Sequence, residues 1–399
     1  MSVSDTALPL HGITVVAIEQ AIAAPFATRH LADLGARVIK IERPTDGDFA
    51  RHYDTTVRGL SSHFVWVNRS KESCALNLKH PDAGDVIHRL LSRADVLVQN
   101  LAPGAADRLG LGSDRLRAQY RSLVVCNLSG YGRDGPYSDK KAYDLLIQSE
   151  CGLLSITGTP EAPAKTGISV ADIAGGMYAY SGILAALFQR SRTGEGSVLN
   201  VSLFEALGEW MGYPMYYTMY GGVPPRRSGA AHATVQPYGP FRTGDGQDVY
   251  LSVQNEREWV SFCQHVLEEP PLATDDRFRT NSLRVTHHAA LKTSIERVFA
   301  RLTGAVIVAR LDAAQIANAT LRNVEEFVAH PQLRARHRWR QVDSPAGPLE
   351  ALLPPGIPND QEPDWTPIPR VGEHTDGILV ELGYERSAIQ RMREDGLVG

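Results

Sequence analysis

Over the first 130 residues, short apolar runs alternate with amphipathic ones. Ile13-Thr-Val-Val-Ala-Ile is β-branched and apolar, the pattern of a buried strand. Ala27 to Leu34 has helical spacing and stops at Gly35, a residue suited to a helix C-terminus. Arg37-Val-Ile-Lys-Ile-Glu reads as the next strand. From His80 to Arg93, Val86, Ile87, Leu90 and Leu91 recur on one helical face. Asp95-Val-Leu-Val-Gln and Leu123-Val-Val-Cys-Asn-Leu are two further strands. Short apolar strands separated by helices predict an α/β fold with a parallel sheet. Residues 171–189 predict a long helix starting near Asp172, with Gly175 and Gly176 in its first turn; a strand over Val198 to Ser202 and a helix from Leu203 follow.

The pattern then changes. Gly221 to Gly246 is rich in Gly, Pro and Arg and lacks periodicity, so it reads as a linker carrying a functional loop. Residues 247–330 predict a smaller α+β unit: a strand at Val249-Tyr-Leu-Ser-Val, then helices over 256–267, 286–301 (capped by Thr286) and 303–314. From Pro331 the chain reads as Pro-rich and extended, ending in a short helix from Ser387. No internal repeat or low-complexity tract interrupts this order.

Composition narrows the classes. A hydrophobic fraction of 43% is ordinary for a globular protein, and a net charge of −4 gives no reason to expect a nucleic-acid or membrane partner. No apolar stretch reads as long enough to span a bilayer, and Met1-Ser-Val-Ser-Asp lacks the basic and apolar regions of a secretory signal. Cys74, Cys126, Cys151 and Cys263 are widely spaced with no CxxC pair, which predicts a reduced, cytoplasmic protein without a zinc knuckle. The adjacent His287 and His288 would point about 100° apart on a helix, so no metal site is expected of them. After the first strand the chain reads Glu19-Gln-Ala-Ile-Ala-Ala-Pro-Phe-Ala, without the GxGxxG that lets a pyrophosphate approach the backbone. GxxxxGK[ST] and the GxSxG nucleophile elbow are also missing.

The residues with chemical potential are few. Asp172 opens Asp172-Ile-Ala-Gly-Gly-Met and reads either as a helix N-cap or as a carboxylate nucleophile at a helix end. The two glycines, costing about 1 kcal/mol each in a helix, imply that something approaches the backbone closely. Lys40, Arg43, Lys79, Arg108 and Lys141 lie at strand ends or loops; each alone is a solvated charge, and together they suit the phosphates of a nucleotide-like tail. Asn68-Arg-Ser-Lys, Asn100-Leu-Ala-Pro-Gly and Gly130-Tyr-Gly-Arg-Asp-Gly-Pro-Tyr are turn-rich segments beside strands, where α/β proteins bind ligands. Arg226, Arg227 and His232 read as a charged linker or as a cover that meets a carboxylate.

Blocks of this sequence, in order, resemble the class III CoA-transferases (the formyl-CoA transferase and carnitine-CoA transferase type). They are Leu10-His-Gly-Ile-Thr-Val-Val, Pro25, Leu31-Ala-Asp-Leu-Gly-Ala-Arg-Val-Ile-Lys-Ile-Glu-Arg-Pro-Thr-Asp-Gly-Asp, Asn68-Arg-Ser-Lys, Leu76-Asn-Leu-Lys and Asn100-Leu-Ala-Pro-Gly. Ser129-Gly-Tyr-Gly, Tyr143-Asp, Ile173-Ala-Gly-Gly, Gly182-Ile-Leu-Ala-Ala-Leu, His330-Pro-Gln-Leu-Arg and Gly372-Glu-His-Thr-Asp-Gly-Ile-Leu continue the series.

The resemblance implies a Rossmann-like large domain from residues 1–220 and 331–399, a small domain over 221–330, and two chains interlocked as a homodimer. It implies Asp172 as nucleophile, acting through a mixed anhydride and an aspartyl-CoA thioester. It implies CoA contacts at Gln20, Arg43, Leu76, Lys79, Asn100, Arg108, Lys141 and Tyr143. CoA thioester enters as substrate, small carboxylates are its partners, and no tightly bound cofactor is expected. Members that transfer formyl groups carry glutamine before an Ala-Gly-Pro turn, where this chain has Ile22 before Ala23-Ala-Pro, so Ile22 is a substrate-side position. The family's glycine-rich loop maps near Ser228-Gly-Ala-Ala.

The segment from Tyr143 to Thr159 resembles the branch handling C4 and C5 dicarboxylyl-CoA esters such as mesaconyl-, itaconyl-, succinyl- or citramalyl-CoA, including intramolecular transfer on mesaconyl-CoA. Arg226, Arg227 and His232 then become the groups for a second carboxylate. Two alternatives stay open. One is an α-methylacyl-CoA racemase, in which a histidine precedes the aspartate where this chain has Tyr143. The other is a CoA-ester-binding protein without turnover.

Overall fold

The computed structural model describes residues 7–358 and 360–399. Six strands form one parallel sheet: β1 (Thr14–Ile18), β2 (Arg37–Glu42), β3 (Lys71–Ala75), β4 (Val96–Gln99), β5 (Val124–Ser129) and β6 (Val198–Ser202). Their order is β3-β2-β1-β4-β5-β6, with every neighbouring pair parallel. The parallel sheet is the one that the alternating pattern predicts, and its doubly wound order, as the family resemblance implies, reverses between β1 and β4. Crevices that bind ligands in such sheets open at that reversal, beyond the carboxyl ends of the strands.

The sequence pattern misses β3 because Lys71-Glu-Ser-Cys-Ala is not an apolar run. Its polar residues are buried because they are paired: Lys71 Nζ donates to Glu19 at 2.7 Å and Ser73 Oγ to Glu42 at 2.5 Å. Half-buried Glu72 accepts two bonds from Arg37 at its rim.

Four helices of this larger unit frame the site: α1 (Ala23–Asp33), α2 (Asp144–Glu150), α3 (Val170–Thr193) and α4 (Leu203–Trp210). Ser169 is the N-cap of α3, so Asp172 is the third helical residue rather than the cap, and Gly175 and Gly176 fall in the second turn. The close approach that the glycines imply is made by the protein itself. A Cβ on Gly175 would meet Leu203 Cδ2 at 2.5 Å, and one on Gly176 would meet the Ala23 carbonyl oxygen at 2.6 Å. Small residues thus let α1 and α4 close on α3. The expectation that no stretch could span a bilayer is corrected here: α3, 24 residues long with an 18-residue stretch of mean hydropathy 1.3, is long and apolar enough by length and composition. Its apolarity serves packing against α1 and α4.

One core lies between the sheet and the C-terminal residues. Val16, Ile18, Ile39, Leu97 and Val125 pack with Ile378, Leu379, Leu382, Ile389, Leu397 and Val398. The last 69 residues are less extended than the prolines suggest. They hold an antiparallel hairpin of β10 (Trp339–Val342) and β11 (Leu349–Leu352), and helices at Thr375–Glu381 and Arg386–Glu394. Proline there is concentrated between residues 354 and 369 and leaves these elements intact.

The chain forms two compact units. The larger combines the stretch up to Cys151 with Gly167–Met211 and everything from Ala335; the smaller combines Gly152–Thr166 with Gly212–Arg334. The division falls after Met211 and Arg334 rather than at 220 and 330, and residues 152–166 join the smaller unit. Arg227 explains the last point, since its guanidinium donates to the carbonyls of Thr159 and Pro160, each at 2.9 Å. The smaller unit holds the antiparallel sheet β7 (Tyr238–Arg242), β8 (Asp248–Ser252) and β9 (Ala317–Thr320), over a core with Trp259, Phe262, Phe278 and Phe299. Its longer stretch begins with a helix, α5 (Gly212–Gly221). Thr286 is not a cap: it ends a helix, Asn281–Thr286, capped by Thr280, and the next runs His288–Phe299.

Candidate active site

The carboxyl edge of the sheet is polar by design of the register. Gln99, Asn127 and Asn200 stand opposite one another on β4, β5 and β6. Gln99 Nε2 donates to Asn127 Oδ1 at 2.9 Å, and Asn127 Nδ2 to Asn200 Oδ1 at 3.0 Å. Next along, at the reversal between β1 and β4, the Asn100 side chain accepts from the Gln20 N–H at 3.0 Å and donates to the Gln20 carbonyl at 2.8 Å. These two sequence-predicted CoA residues therefore meet at the crevice.

The others follow strand ends. Arg43, exposed, comes directly after β2 and reaches the Gly47 carbonyl at 3.3 Å. Exposed Lys79 follows β3, exposed Arg108 ends the short helix Ala105–Arg108 after β4, and exposed Lys141 lies in the connection from β5 to α2. Leu76 differs in kind, because its side chain is buried in the core and its N–H bonds to the Glu42 carbonyl. Lys40 leaves the basic set altogether. It is fully buried inside β2, ion-paired to Asp48 at 2.9 Å and Glu19 at 3.4 Å, and cannot meet a phosphate.

Asp172 lies half-buried in the first turn of α3. Among the described residues, no cation and no donor pairs with its carboxylate. Its charged neighbour has the same sign: Asp144, at the start of α2, whose Oδ1 accepts from the N–H of Ala171 at 2.8 Å and more loosely from that of Asp172 at 3.4 Å. Gln148 holds the other Asp144 oxygen at 2.6 Å. Burial, reinforced by the Asp144 charge, pushes the Asp172 carboxyl up to about 7. Tyr53 feels the Asp172 charge. Burial first, then the charges of Asp48 and Asp172, push its hydroxyl up to about 12. Tyr143 caps α2 and is exposed. Ile22, the N-cap of α1, is buried. Sequence reasoning missed Asp144 and Tyr53 as neighbours of Asp172; the available signal was the Tyr143-Asp144 pair itself.

In the smaller unit, the three loop residues have distinct surroundings. The Arg227 fork is filled by backbone carbonyls, as described above. Arg226 is exposed and lies against the ring of His288, with Nη1 at 2.5 Å from Nε2. His232 is stacked between Tyr238 (ring centroids 5.2 Å apart) and Tyr213 (6.3 Å). Its Nδ1 accepts from the N–H groups of Thr234 and Val235, which leaves Nε2 as the protonated donor.

Similarity to known proteins shows the family. Residues 10–375 match the model of CoA-transferase family III. An acyl-CoA transferase of Fusarium pseudograminearum is 33% identical over 100% of this chain and 90% of its own length. A succinate–glutarate CoA-transferase of Agrobacterium fabrum is 32% identical over 95% of this chain and 97% of its own. Among solved structures, a CaiB/BaiF family protein from Brucella suis superposes with TM-score 0.79 at 30% identity, covering 94% of this chain and 100% of that one. With the match running from the first strand to the C-terminal helices, the chain belongs to CoA-transferase family III and is an enzyme of that class.

Proposed function

We propose that the protein moves CoA between small C4 and C5 dicarboxylic acids, with Asp172 as the carboxylate that carries first acyl group and then CoA. The observation that carries this reading is a half-buried aspartate whose only charged neighbour, among the described residues, is another carboxylate. A carboxylate is a weak nucleophile when stabilised by water or cations. One that lacks both stays basic, and basicity raises nucleophilicity.

The Asp172 carboxylate attacks the thioester carbonyl of the donor, forming a mixed anhydride and expelling CoA thiolate. The thiolate attacks the aspartyl carbonyl of the anhydride, giving an aspartyl-CoA thioester and the free donor acid. The acceptor carboxylate then attacks that thioester, and the released thiolate closes the cycle on the acceptor carbonyl, returning Asp172 as carboxylate. Charge is conserved at each step and no redox partner is required. Gln20, Arg43, Leu76 (through its backbone), Lys79, Asn100, Arg108, Lys141 and Tyr143 are the residues we assign to CoA, since each but Tyr143 lies at or beyond the carboxyl end of a strand.

Two observations support dicarboxylates. The Agrobacterium relative is named for succinate and glutarate, the saturated C4 and C5 diacids. Arg226 offers an exposed guanidinium that suits a non-reacting carboxylate. We assign Arg227 to holding its own loop, and the Nε2–H of His232 to polar contact with the acid. A homodimer fits the surface of α5, where Tyr213, Tyr216, Met219 and Tyr220 are each more than half exposed. Sizing at nanomolar concentration should still find the dimer.

The decisive experiment is trapping. Incubation with succinyl-CoA and hydroxylamine should convert Asp172 to a hydroxamate, read by peptide mass spectrometry. Label only on another residue, or full activity in Asp172→Asn, sinks the mechanism. For the substrate class, glutarate and mesaconate should outrun butyrate and crotonate as acceptors by roughly tenfold or more, and Arg226→Ala should narrow that gap.

A further inference from the structure

One residue at the turn between β1 and α1 has an unusual backbone. Ala21 sits at φ +64°, in the left-handed region that residues with a Cβ disfavour. It lies between Gln20 and the α1 N-cap Ile22, so its conformation sets the directions of both. The turn also abuts the helix that carries Asp172. Asp172 and Gly176 are four residues apart on α3 and share a face, and the Gly176 backbone is close enough to the Ala23 carbonyl that a Cβ there would come within 2.6 Å.

A single buried carboxylate holds Ala21 in place. Asp48, 3% exposed, accepts from the Ala21 N–H at 3.0 Å and from the Ala50 N–H at 2.9 Å through Oδ1, and from Lys40 Nζ at 2.9 Å through Oδ2. Its own N–H is fixed by Glu42 Oε1 at 2.9 Å. The bond to Ala50 makes Asp48 the cap of the one-turn helix Phe49–His52, and Tyr53, the next residue, is near enough for the Asp172 charge to act on its hydroxyl. Lys40 supplies a rigid anchor, because its ammonium is enclosed within β2 and shared with Glu19.

We infer that Asp48 is a positioning residue for transfer: it ties the Ala21 turn and the Tyr53 turn to one anchor in the sheet and so fixes two walls of the acyl site against each other. Asp48 touches neither substrate nor the reacting atoms. Its effect falls on the geometry of attack, hence on kcat, while the CoA contacts beyond the strand ends keep their affinity. The inference rests on the reading of Asp172 as the nucleophile.

Three variants test it, assayed with succinyl-CoA and glutarate, with CoA affinity by calorimetry and folding by thermal melt. Asp48→Asn keeps an oxygen for Ala21 and Ala50 but turns an amide N–H towards Lys40, so it loses the anchor that aims that oxygen; it should lower kcat about tenfold or more, with Kd for CoA within about twofold of wild type. Adding Ala21→Gly to Asp48→Asn should recover at least about threefold of that loss, because glycine occupies the left-handed region without a carboxylate to hold it there. Ala21→Val, which leaves the ion pair intact but strains the turn, should reproduce the kcat defect. A folded Asp48→Asn enzyme with wild-type kcat, or one whose loss glycine does not relieve, overturns the inference. If Asp48→Asn does not fold, a folded Ala21→Val enzyme with full kcat overturns it alone. Hydroxylamine labelling of the wild type tests Asp172 separately, so failure of that reading shows as label elsewhere, and failure of this one as absence of glycine rescue.

Discussion

Two carboxylates of the larger unit have been taken out of bulk water and have opposite fates. Glu19, at the end of β1, is fully enclosed, yet it accepts from Lys71 at 2.7 Å and Thr28 at 2.7 Å and lies 3.4 Å from Lys40. Burial opposes its ionisation, but the charges of Lys71 and Lys40 outweigh burial and hold its carboxyl below the usual range. Asp172 is less deeply buried and, among the described residues, has no such cation; burial and Asp144 push it up to about 7. Burial therefore does not decide whether a carboxylate is inert or reactive. Its partners do: the same desolvation that two lysines compensate at Glu19 is left uncompensated at Asp172, where it becomes nucleophilic potential.

The sharpest way to break this comparison is to make the same isosteric change at both sites. Asp172→Asn should lower transfer by about 10³-fold or more, since the group that forms the covalent intermediate is gone. Glu19→Gln should affect folding first. It leaves Lys71 and Lys40 enclosed with one carboxylate fewer, and removing one partner of a buried ion pair costs about 3 kcal/mol or more. A chemical-denaturation midpoint for Glu19→Gln equal to that of wild type would show that the network is not what stabilises the sheet edge.

Next in size is a stability change of the opposite sign at Asp172. Its folded value of about 7 lies above the ordinary aspartate value of 3.8, so the folded state binds the proton more tightly than the unfolded chain. Its contribution is fully present below the unfolded pKa and is lost as pH rises through the folded one. At pH 8 the ionised carboxylate is a burden, and Asp172→Asn should stabilise the protein by about 1–3 kcal/mol. At pH 5, where the wild-type carboxyl is already protonated, the gain should be much smaller. Melting curves of both proteins at the two pH values check this; a gain that does not grow with pH would mean that Asp172 is better solvated than its surroundings indicate.

Much of this was legible before any coordinates. Apolar runs such as Val15-Val16 and Leu97-Val98 locate strands because a parallel sheet buries both faces. Ordered family-like blocks located Asp172 and the loop residues beyond the strands. What the pattern hides is polar material that is buried only because it is paired. Lys40 in a strand and Lys71-Glu-Ser opening another look like surface until Glu19, Glu42 and Asp48 arrive from distant parts of the chain. Asp144 stayed unassigned for the same reason, since its partners, the N–H groups of Ala171 and Asp172, lie 27 and 28 residues away. Pairing across such distances leaves no periodicity to read.

The smallest effect isolates the charge that separates the two carboxylates. In kcat/KM, which reports groups of the free enzyme, activity should rise with pH through about 7 as Asp172 ionises. Burial is the larger cause of that raised value and Asp144 the second, so Asp144 is the part that mutation can remove without opening the site. Asp144→Asn keeps an oxygen to accept the Ala171 N–H, and with it the cap on α3, but removes the negative charge. The acid limb should therefore move to lower pH while the plateau rate falls only modestly, because a less basic Asp172 is a weaker nucleophile. Asp144→Ala loses the cap as well and should lower the plateau further. A limb that stays in place in Asp144→Asn would mean that burial alone tunes Asp172 and that the like charge beside it is incidental.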